Sequence, residues 1–433
     1  MSDRRTIFAK ASGEGVAGVA VIRISGPESW DAIVRLTGKD LPTSRRLSRR
    51  WLRSTDGTLI DDALIATFEA GSSFTGEQSA EIHCHGGRAV LDSILSELRS
   101  FSGCRPALPG EFTRRSFENG RMDLIEVQGL SDLLQAETEY QRRHALRVMS
   151  GAISDRTGKW RAALVRARAL IEVTIDWADE EVPEDVSPEV ITLIENVQAE
   201  ISADLKAFNR TERLRRGFEV AIVGPPNSGK SSLLNAIAGR DVALVSDIAG
   251  TTRDVIEVRC DLGGVLVNFL DTAGIRETED QVERAGVERA VERARAADLR
   301  ILLASADTDA SSFISSEADD LKVWSKIDLS PGDADFAIST KQGIGISELL
   351  GAVESRAKKA AESAGSFGHE RQRYVLEAVS RSLSVLVETA AEVDAEVSAE
   401  HLRVAIAELD SLTGRRSIED VLGEVFSTFC VGK

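Results

Sequence analysis

The run Gly224-Pro-Pro-Asn-Ser-Gly229-Lys230-Ser231 fits G-x4-G-K-[ST] without a mismatch. Such a run holds phosphate. Glycines at both ends let backbone N–H groups turn onto phosphate oxygens, Lys230 brings a point charge between β- and γ-phosphates, and the Ser231 hydroxyl is a Mg²⁺ ligand. The candidate contacts are Gly224, Asn227, Ser228, Gly229, Lys230, Ser231 and Ser232. About 40 residues further on, Asp271-Thr272-Ala273-Gly274 follows the apolar run from Val265 to Leu270. There a second carboxylate can reach Mg²⁺ through water and the Gly274 N–H can sense the γ-phosphate. Between the two, Gly250-Thr251-Thr252-Arg253-Asp254 offers a hydroxyl able to close over γ-phosphate and metal.

The base is addressed by Ser325-Lys326-Ile327-Asp328. A carboxylate at Asp328 accepts both N1–H and N2–H of guanine, a pairing adenine does not offer, and the Lys326 stem can lie along the purine face. GTP is therefore expected over ATP. The usual first residue of this motif is Asn, and Ser325 removes its amide. Ser339-Thr340-Lys341 is a candidate backbone cradle for guanine O6, differing in its middle residue from the usual Ser-Ala-Lys. Ras-like enzymes place a water-orienting Gln directly after the Asp-x-x-Gly glycine, where this chain has Ile275. Hydrolysis then needs another carboxylate or amide and another positive charge, and the acidic stretch from Glu277 to Glu283 holds several candidates.

These residues need a strand, a loop and a helix in that order, and the local patterns supply them. The apolar run from Phe218 to Val223 reads as the strand before the phosphate loop, and Ser231 to Ala238 as the helix after it. An α/β character extends over 217–364. On either side, apolar residues recur at three and four positions: Leu124, Val127, Leu130 and Leu134, then Leu164, Ala167 and Ile171, and later Val375, Val379, Leu383 and Leu386. This predicts a helical domain in two parts, 119–216 and 365–433, split by the inserted 217–364 domain. Glu362 to Gly368 reads as a linker. Residues 1–118 mix short β-rich runs with one helical stretch, Arg88 to Leu98, and predict a small α/β domain. The fold class expected is α/β plus all-α.

The chain has 433 residues, with 53 Lys and Arg against 70 Asp and Glu, a net charge of −17 that argues against generic nucleic-acid binding. Residues 1–118 carry +1, 217–364 carry −9 and the helical pieces −9. Any RNA contact must be local; the Arg45, Arg46, Arg49, Arg50, Arg53 cluster is either such a contact or a solvated loop. No apolar run is long enough to span a bilayer, and no export signal is evident, so a cytoplasmic protein without a membrane is expected. Four separated cysteines, with no C-x-x-C pair, fit a reducing compartment. His83 and His85 flank Cys84 on a strand with no further ligand and read as a strand-end pair rather than a metal site. The five tryptophans read as core or interface.

Taken together, the chain resembles the MnmE (TrmE) family of tRNA-modification GTPases over essentially its whole length. The resemblance rests on Arg23-Ile-Ser-Gly26 and Ser73-Phe-Thr-Gly-Glu77, the split helical domain, the inserted GTPase and the terminal Phe429-Cys-Val-Gly-Lys433. It implies a tetrahydrofolate-binding and dimerisation domain at 1–118 and a Ras-like P-loop GTPase domain at 217–364. Asn227, Ser246, Ile248 and Thr251 match the family's K⁺ site, Ser231 and Thr252 its Mg²⁺ ligands, and Glu283 the residue that orients water. Arg23, Glu81 and Lys433 match residues that hold 5,10-methylene- or formyl-tetrahydrofolate; Arg121 stands where a lysine is common. The implied protein is a homodimer that works with the flavin-dependent MnmG (GidA) in a heterotetramer, on the wobble uridine of tRNA, with the folate site between two subunits. Two features depart from the family: Ser325, and a short connection from Ala304 to Lys322. Cys430 reads either as a thiol near the one-carbon unit or as a small packed side chain. A ribosome-assembly GTPase acting as an rRNA switch would carry a basic RNA-binding domain, which the charge distribution lacks. A scaffold with negligible turnover would not need Lys230, Ser231, Asp271 and Glu283.

Overall fold

The computed structural model describes residues 4–176, 187–244, 257–271, 294–306, 317–362, 364–388 and 394–415, and, of the tail, 422, 423, 425, 426, 429 and 432. The chain divides into two compact units, one comprising 1–131, 148–158 and 409–433 and the other 132–147 and 159–408.

The first unit is built on a six-stranded sheet. Its strands are β1 (Thr6–Lys10), β2 (Ala17–Ser25), β3 (Ser48–Arg53), β4 (Leu59–Phe68), β5 (Ser79–Gly86) and β6 (Cys104–Pro106), in the order β3-β4-β5-β2-β1-β6. All neighbours are antiparallel except β1 and β6. Strand alternation sorts the side chains. Ala20, Ile22 and Ile24 of β2 and Ala80, Ile82 and Cys84 of β5 point to one face, where α1 (Ser29–Thr37) and α2 (Arg88–Ser100) bury Ile33, Leu36, Ile94 and Leu98 against them. The intervening residues Arg23, Glu81 and His83 are thereby turned to the other face. There α3 (Glu111–Glu118) brings Phe112 onto Ile7, Ala9 and Ala107, with Phe74 beside them. Trp51, expected in a core or interface, is 47% exposed, with the Arg49 guanidinium 5.9 Å over its ring.

The expected helical stretch after 123 is three helices: α4 (Leu124–Gln135), α5 (Glu139–Met149) and α6 (Ala152–Asp176). Leu124 and Val127 of α4 are buried, together with the tail residues Leu422, Phe426 and Phe429, in a cluster of the first unit. Leu134, expected on the same apolar face, is 47% exposed, one residue before the end of its helix.

In the second unit, α7 (Ser187–Arg216) leads directly into β7 (Phe218–Val223). The sheet of this unit runs β12-β11-β10-β7-β9-β8, with β8 (Glu257–Leu262), β9 (Val265–Asp271), β10 (Leu299–Ala304), β11 (Leu321–Trp324) and β12 (Phe336–Ala337). Only β8 pairs antiparallel. The central strands are buried along nearly their whole length and are largely apolar, as a sheet covered on both sides requires. Two covering helices are α8 (Lys230–Ala238) and α9 (Ile346–Glu362), which share one core with the strands. Two more helices, α10 (Glu370–Glu388) and α11 (Ala395–Thr413), follow.

The junctions with the helices are pinned. Gly217 has φ +108, and a Cβ there would stand 2.8 Å from the Asn268 amide carbon, while the Asn268 amide donates to the Arg216 carbonyl at 3.1 Å. On the way out, the expected linker is docked: Gly365 N–H donates to Thr211 Oγ1 at 2.7 Å, and Phe367, 1% exposed, stacks on Trp160.

Candidate functional site

The phosphate loop lies where the apolar strand β7 ends and α8 begins. Asn227 at φ 64 and Gly229 at φ 100 adopt left-handed backbone around Ser228, an alternation that turns successive N–H groups toward one point. Gly224 has no room for a side chain, since a Cβ would lie 2.8 Å from Ser228 Oγ and closer still to the Leu303 carbonyl. Helix α8 begins after Gly229, which as its N-cap has no side chain to bond the first-turn N–H groups, and such N–H groups suit an anion. Lys230 Nζ donates to the carbonyls of Gly224 and Pro225 at 2.8 and 2.9 Å, which holds its charge inside the loop. Burial pushes the Lys230 pKa down, opposed by the Asp271 carboxylate. The Ser228 hydroxyl is buried and has no hydrogen-bond partner among the described residues.

The register of β7 on β9 pairs Ile222 with Asp271 and so carries the carboxylate to the mouth of the loop. Ser231 Oγ donates to Asp271 Oδ2 at 2.9 Å. A hydroxyl and a carboxylate oxygen together are the hard-oxygen donors that Mg²⁺ takes, so the residues present fit that ion. The other expected Mg²⁺ ligand, Thr252, lies outside the described residues. So do Ser246, Ile248 and Thr251 of the expected K⁺ site, Gly274, expected to sense the γ-phosphate, and Glu283, expected to orient water.

In the same sheet, β11, which lies between β10 and the edge strand β12, delivers the guanine motif. Lys326 takes φ 58, which turns the chain back so that Asp328 meets Ser339: Ser339 Oγ donates to Asp328 Oδ1 at 2.7 Å. Thr340 is half-buried beside the buried Ser339. Ser325 is 3% exposed, and its hydroxyl donates to the Ser228 carbonyl at 2.6 Å. The structure thus joins the base motif to the phosphate loop, a contact that linear reading does not reveal.

The second group of expected residues is in the first unit. The β2–β5 register pairs Arg23 with Glu81, and Arg23 Nε and Nη2 donate to Glu81 Oε1 at 3.2 and 3.1 Å. His83 Nε2 is 3.4 Å from Glu81 Oε2. Each carboxylate oxygen retains lone-pair capacity for a further donor. The Arg23 guanidinium stands 5.3 Å from the Phe74 ring centre and 5.9 Å from that of Phe112. Arg121 is exposed, with its Cγ 3.1 Å from where a Cβ on Gly76 would be. Arg23 and Arg121 therefore flank one loop, 73–77. That loop is held from beneath: Ser25 Oγ and Arg115 Nη1 donate to Glu77 Oε2 at 2.8 and 3.0 Å, and Ser116 Oγ donates to the Phe74 carbonyl at 2.8 Å. Phe112, Arg115 and His83 escaped the sequence reading as site residues; only Phe74 and Glu77 lay within a motif it had singled out. Aromatic rings beside a carboxylate and two cations fit a flat heterocycle bearing N–H donors and a carboxylate tail, the chemistry of a folate.

Lys433 and Cys430 lie outside the described residues, but Gly432 is placed. It has φ +101, and a Cβ there would stand 3.0 Å from the Lys10 carbonyl carbon and 3.1 Å from Ala11 Cα. Lys10 is the neighbour of Ala9, the register partner of Arg23. The end of the chain thus returns to its own β1, one residue from the strand position opposite Arg23. The remaining thiols are buried, which pushes those of Cys84, Cys104 and Cys260 up to about 11, with nearby Asp61 adding to it at Cys84 and Glu28 at Cys104, and so disfavours the thiolate. Among the described residues no group of three or more His, Cys, Asp or Glu could hold a metal ion.

Comparison with known proteins covers essentially the whole chain. The family model described as "GTP-binding protein TrmE N-terminus" matches residues 6–121, and that described as "MnmE helical domain" matches 124–430. A protein of Cereibacter sphaeroides named "tRNA modification GTPase MnmE" is 51% identical over 433 residues, 99% of this chain and 100% of its own length. Proteins of the same name from Dinoroseobacter shibae and Agrobacterium fabrum are 49% and 47% identical, each over 99% of this chain and 100% and 99% of their own. With a matching N-terminal module, a matching helical module and relatives alike from end to end, the chain belongs to the MnmE (TrmE) family.

Proposed function

We propose that this chain is a K⁺-stimulated GTPase that acts in tRNA modification: with flavin-dependent MnmG it alters C5 of the wobble uridine, using a one-carbon unit from methylene-tetrahydrofolate. The observation that carries the GTPase reading is the Ser231–Asp271 pair at the mouth of a loop whose lysine is already buried within it. Residues 217–364 would bind the nucleotide. Lys230 and the N–H groups of the loop would hold phosphate oxygens, Ser231 and Asp271 would hold Mg²⁺, which would neutralise charge on the phosphates, and Asp328, fixed by Ser339, would accept the N–H edge of guanine. Bound at Asn227, with Ser246, Ile248 and Thr251, K⁺ would supply the positive charge that an arginine gives in other GTPases. Glu283 would orient the attacking water in place of the glutamine that Ile275 displaces.

Residues 1–118 would hold the folate on a surface of Arg23 and Glu81, with Arg121 just beyond them and Lys433 of the tail contributing, in a cytoplasmic homodimer. Among the described residues no helix is long and apolar enough to cross a membrane. The test is phosphate release from GTP and ATP in K⁺ and in Na⁺, followed by C5 modification of tRNA with MnmG and methylene-tetrahydrofolate. Faster release from GTP in K⁺, and modification that requires folate, are expected. Equal rates in the two salts, or modification independent of folate, would overturn the corresponding part of the reading.

A further inference from the structure

The serine at 325 is engaged, and what engages it changes its role. Its hydroxyl, within a buried residue, donates to the backbone carbonyl of Ser228 at 2.6 Å, and Ser228 is 0% exposed in the middle of the phosphate loop. The same hydroxyl lies 3.8 Å from where a Cβ on Gly229 would stand. A serine hydroxyl carries one proton, whereas an asparagine amide carries two N–H groups and an acceptor and can serve a loop and a base at once. With that single proton on the Ser228 carbonyl, Ser325 has no donor left for N7 or O6, the acceptor edge of a guanine.

We propose that Ser325 is a positioning residue of the phosphate loop and not a reader of the base, so that guanine is selected at its N1–H and N2–H edge by Asp328 while N7 goes unread. A second serine makes this division workable. Ser339 Oγ donates to Asp328 Oδ1 at 2.7 Å and accepts from Gln342 N–H at 3.2 Å, which fixes the carboxylate and leaves Oδ2 for the base. One serine holds the loop and the other holds the carboxylate. The inference rests on the GTPase reading above and adds to it which atoms of the nucleotide this chain distinguishes.

The test is calorimetric binding of GDP, 7-deaza-GDP (N7 replaced by C–H) and inosine diphosphate (no N2 amino group) to the full chain and to its Ser325→Ala and Ser325→Thr variants. Wild type is expected to bind GDP and 7-deaza-GDP within about twofold of each other, and inosine diphosphate about tenfold or more weakly, as loss of a hydrogen bond to a charged group implies. Ser325→Ala should weaken GDP and 7-deaza-GDP by one common factor, about three- to tenfold, because it acts through the loop. Ser325→Thr, which keeps the hydroxyl, should restore both and serves as the control for folding. A wild type that binds 7-deaza-GDP about tenfold more weakly than GDP, or a Ser325→Ala penalty confined to GDP, overturns the proposal. So does Ser325→Ala binding as tightly as wild type. A wild type that binds no guanine nucleotide overturns the GTPase reading instead, and the two failures are told apart by the wild-type GDP measurement alone.

Discussion

Replacing Gly432 by alanine asks whether the tip of the tail must lie on β1. At φ +101 an alanine costs on the order of 1–2 kcal/mol in backbone strain. Its Cβ would also press on Lys10 and Ala11, and these backbone atoms cannot retreat. Lys10 is paired with Ile22 in the sheet, and Ala11 N–H donates to the Val21 carbonyl at 2.7 Å. Overpacking of this kind adds about 1–3 kcal/mol. Against this total stand the tail's anchors: Leu422, Phe426 and Phe429, each 4 or 5% exposed, packed with Leu124 and Val127. At about 1.5–3 kcal/mol per buried side chain they outweigh the local penalty.

The anchors should therefore hold while the tip after Phe429 lifts off. Tm should change by less than about 3 °C, and GTP hydrolysis in K⁺ should stay within about twofold of wild type. C5 modification of tRNA should fall by about tenfold or more, the scale expected when a group is displaced by an ångström or so. Gly423→Ala is the matched control, since nothing lies within 4 Å of a Cβ there. Melting and both activities are measured on the three proteins. Normal modification by Gly432→Ala, or an equal loss in Gly423→Ala, would refute the reasoning.

Asn227→Ala should lose the response to K⁺ while nucleotide binding, set by Lys230 and the loop backbone, is largely kept; abolished binding in calorimetry would show that Asn227 has been misassigned. Glu283→Ala should leave GTP affinity nearly unchanged and lower turnover by about 10² to 10⁴; a slower Glu277→Ala or Asp280→Ala would move the role to that residue. Asp320→Ala should destabilise by about 3 kcal/mol in urea unfolding, because it takes the bidentate partner, at 2.8 and 2.8 Å, from Arg300 within the sheet. Glu111 has a pKa held below the usual carboxylate value: burial alone would raise it, but the Arg105 hydrogen bonds, the Leu108 N–H and the Arg105 and Arg115 charges outweigh that. A folded pKa below the unfolded one gives stability that is full above the unfolded value and lost as pH falls through the folded one. Glu111→Gln should thus flatten the fall in Tm below about pH 4.3, and an acid limb identical to wild type would contradict the assignment.

The phosphate loop was legible because it is contiguous. Its glycines, lysine and serine need only one strand and one helix in sequence, and β7 and α8 supply them, the helix beginning at Lys230 rather than Ser231. Asp271 could also be placed from the chain alone, since it ends an apolar strand at the right distance. Ser325 was readable only as the loss of an amide. That its hydroxyl instead reaches the Ser228 carbonyl, 97 residues away, follows from β10 lying between β7 and β11 in the sheet, an order no local pattern encodes.

By itself the sequence determined the class of fold, the split helical domain, the family and the order of the nucleotide motifs, because each depends on residue type and short spacing. Tertiary structure alone decided what surrounds Arg23. The alternation of β2 and β5 could say that Arg23 and Glu81 leave the core, but only the antiparallel register makes them partners, and only the packing of α3 sets Phe112 beside them. The tail shows the same division. Phe429 to Lys433 identifies a family, yet nothing in those five residues says that Gly432 must be a glycine. That requirement comes from a β1 carbonyl more than 400 residues earlier, which the folded chain brings so close that a single methyl group has no room.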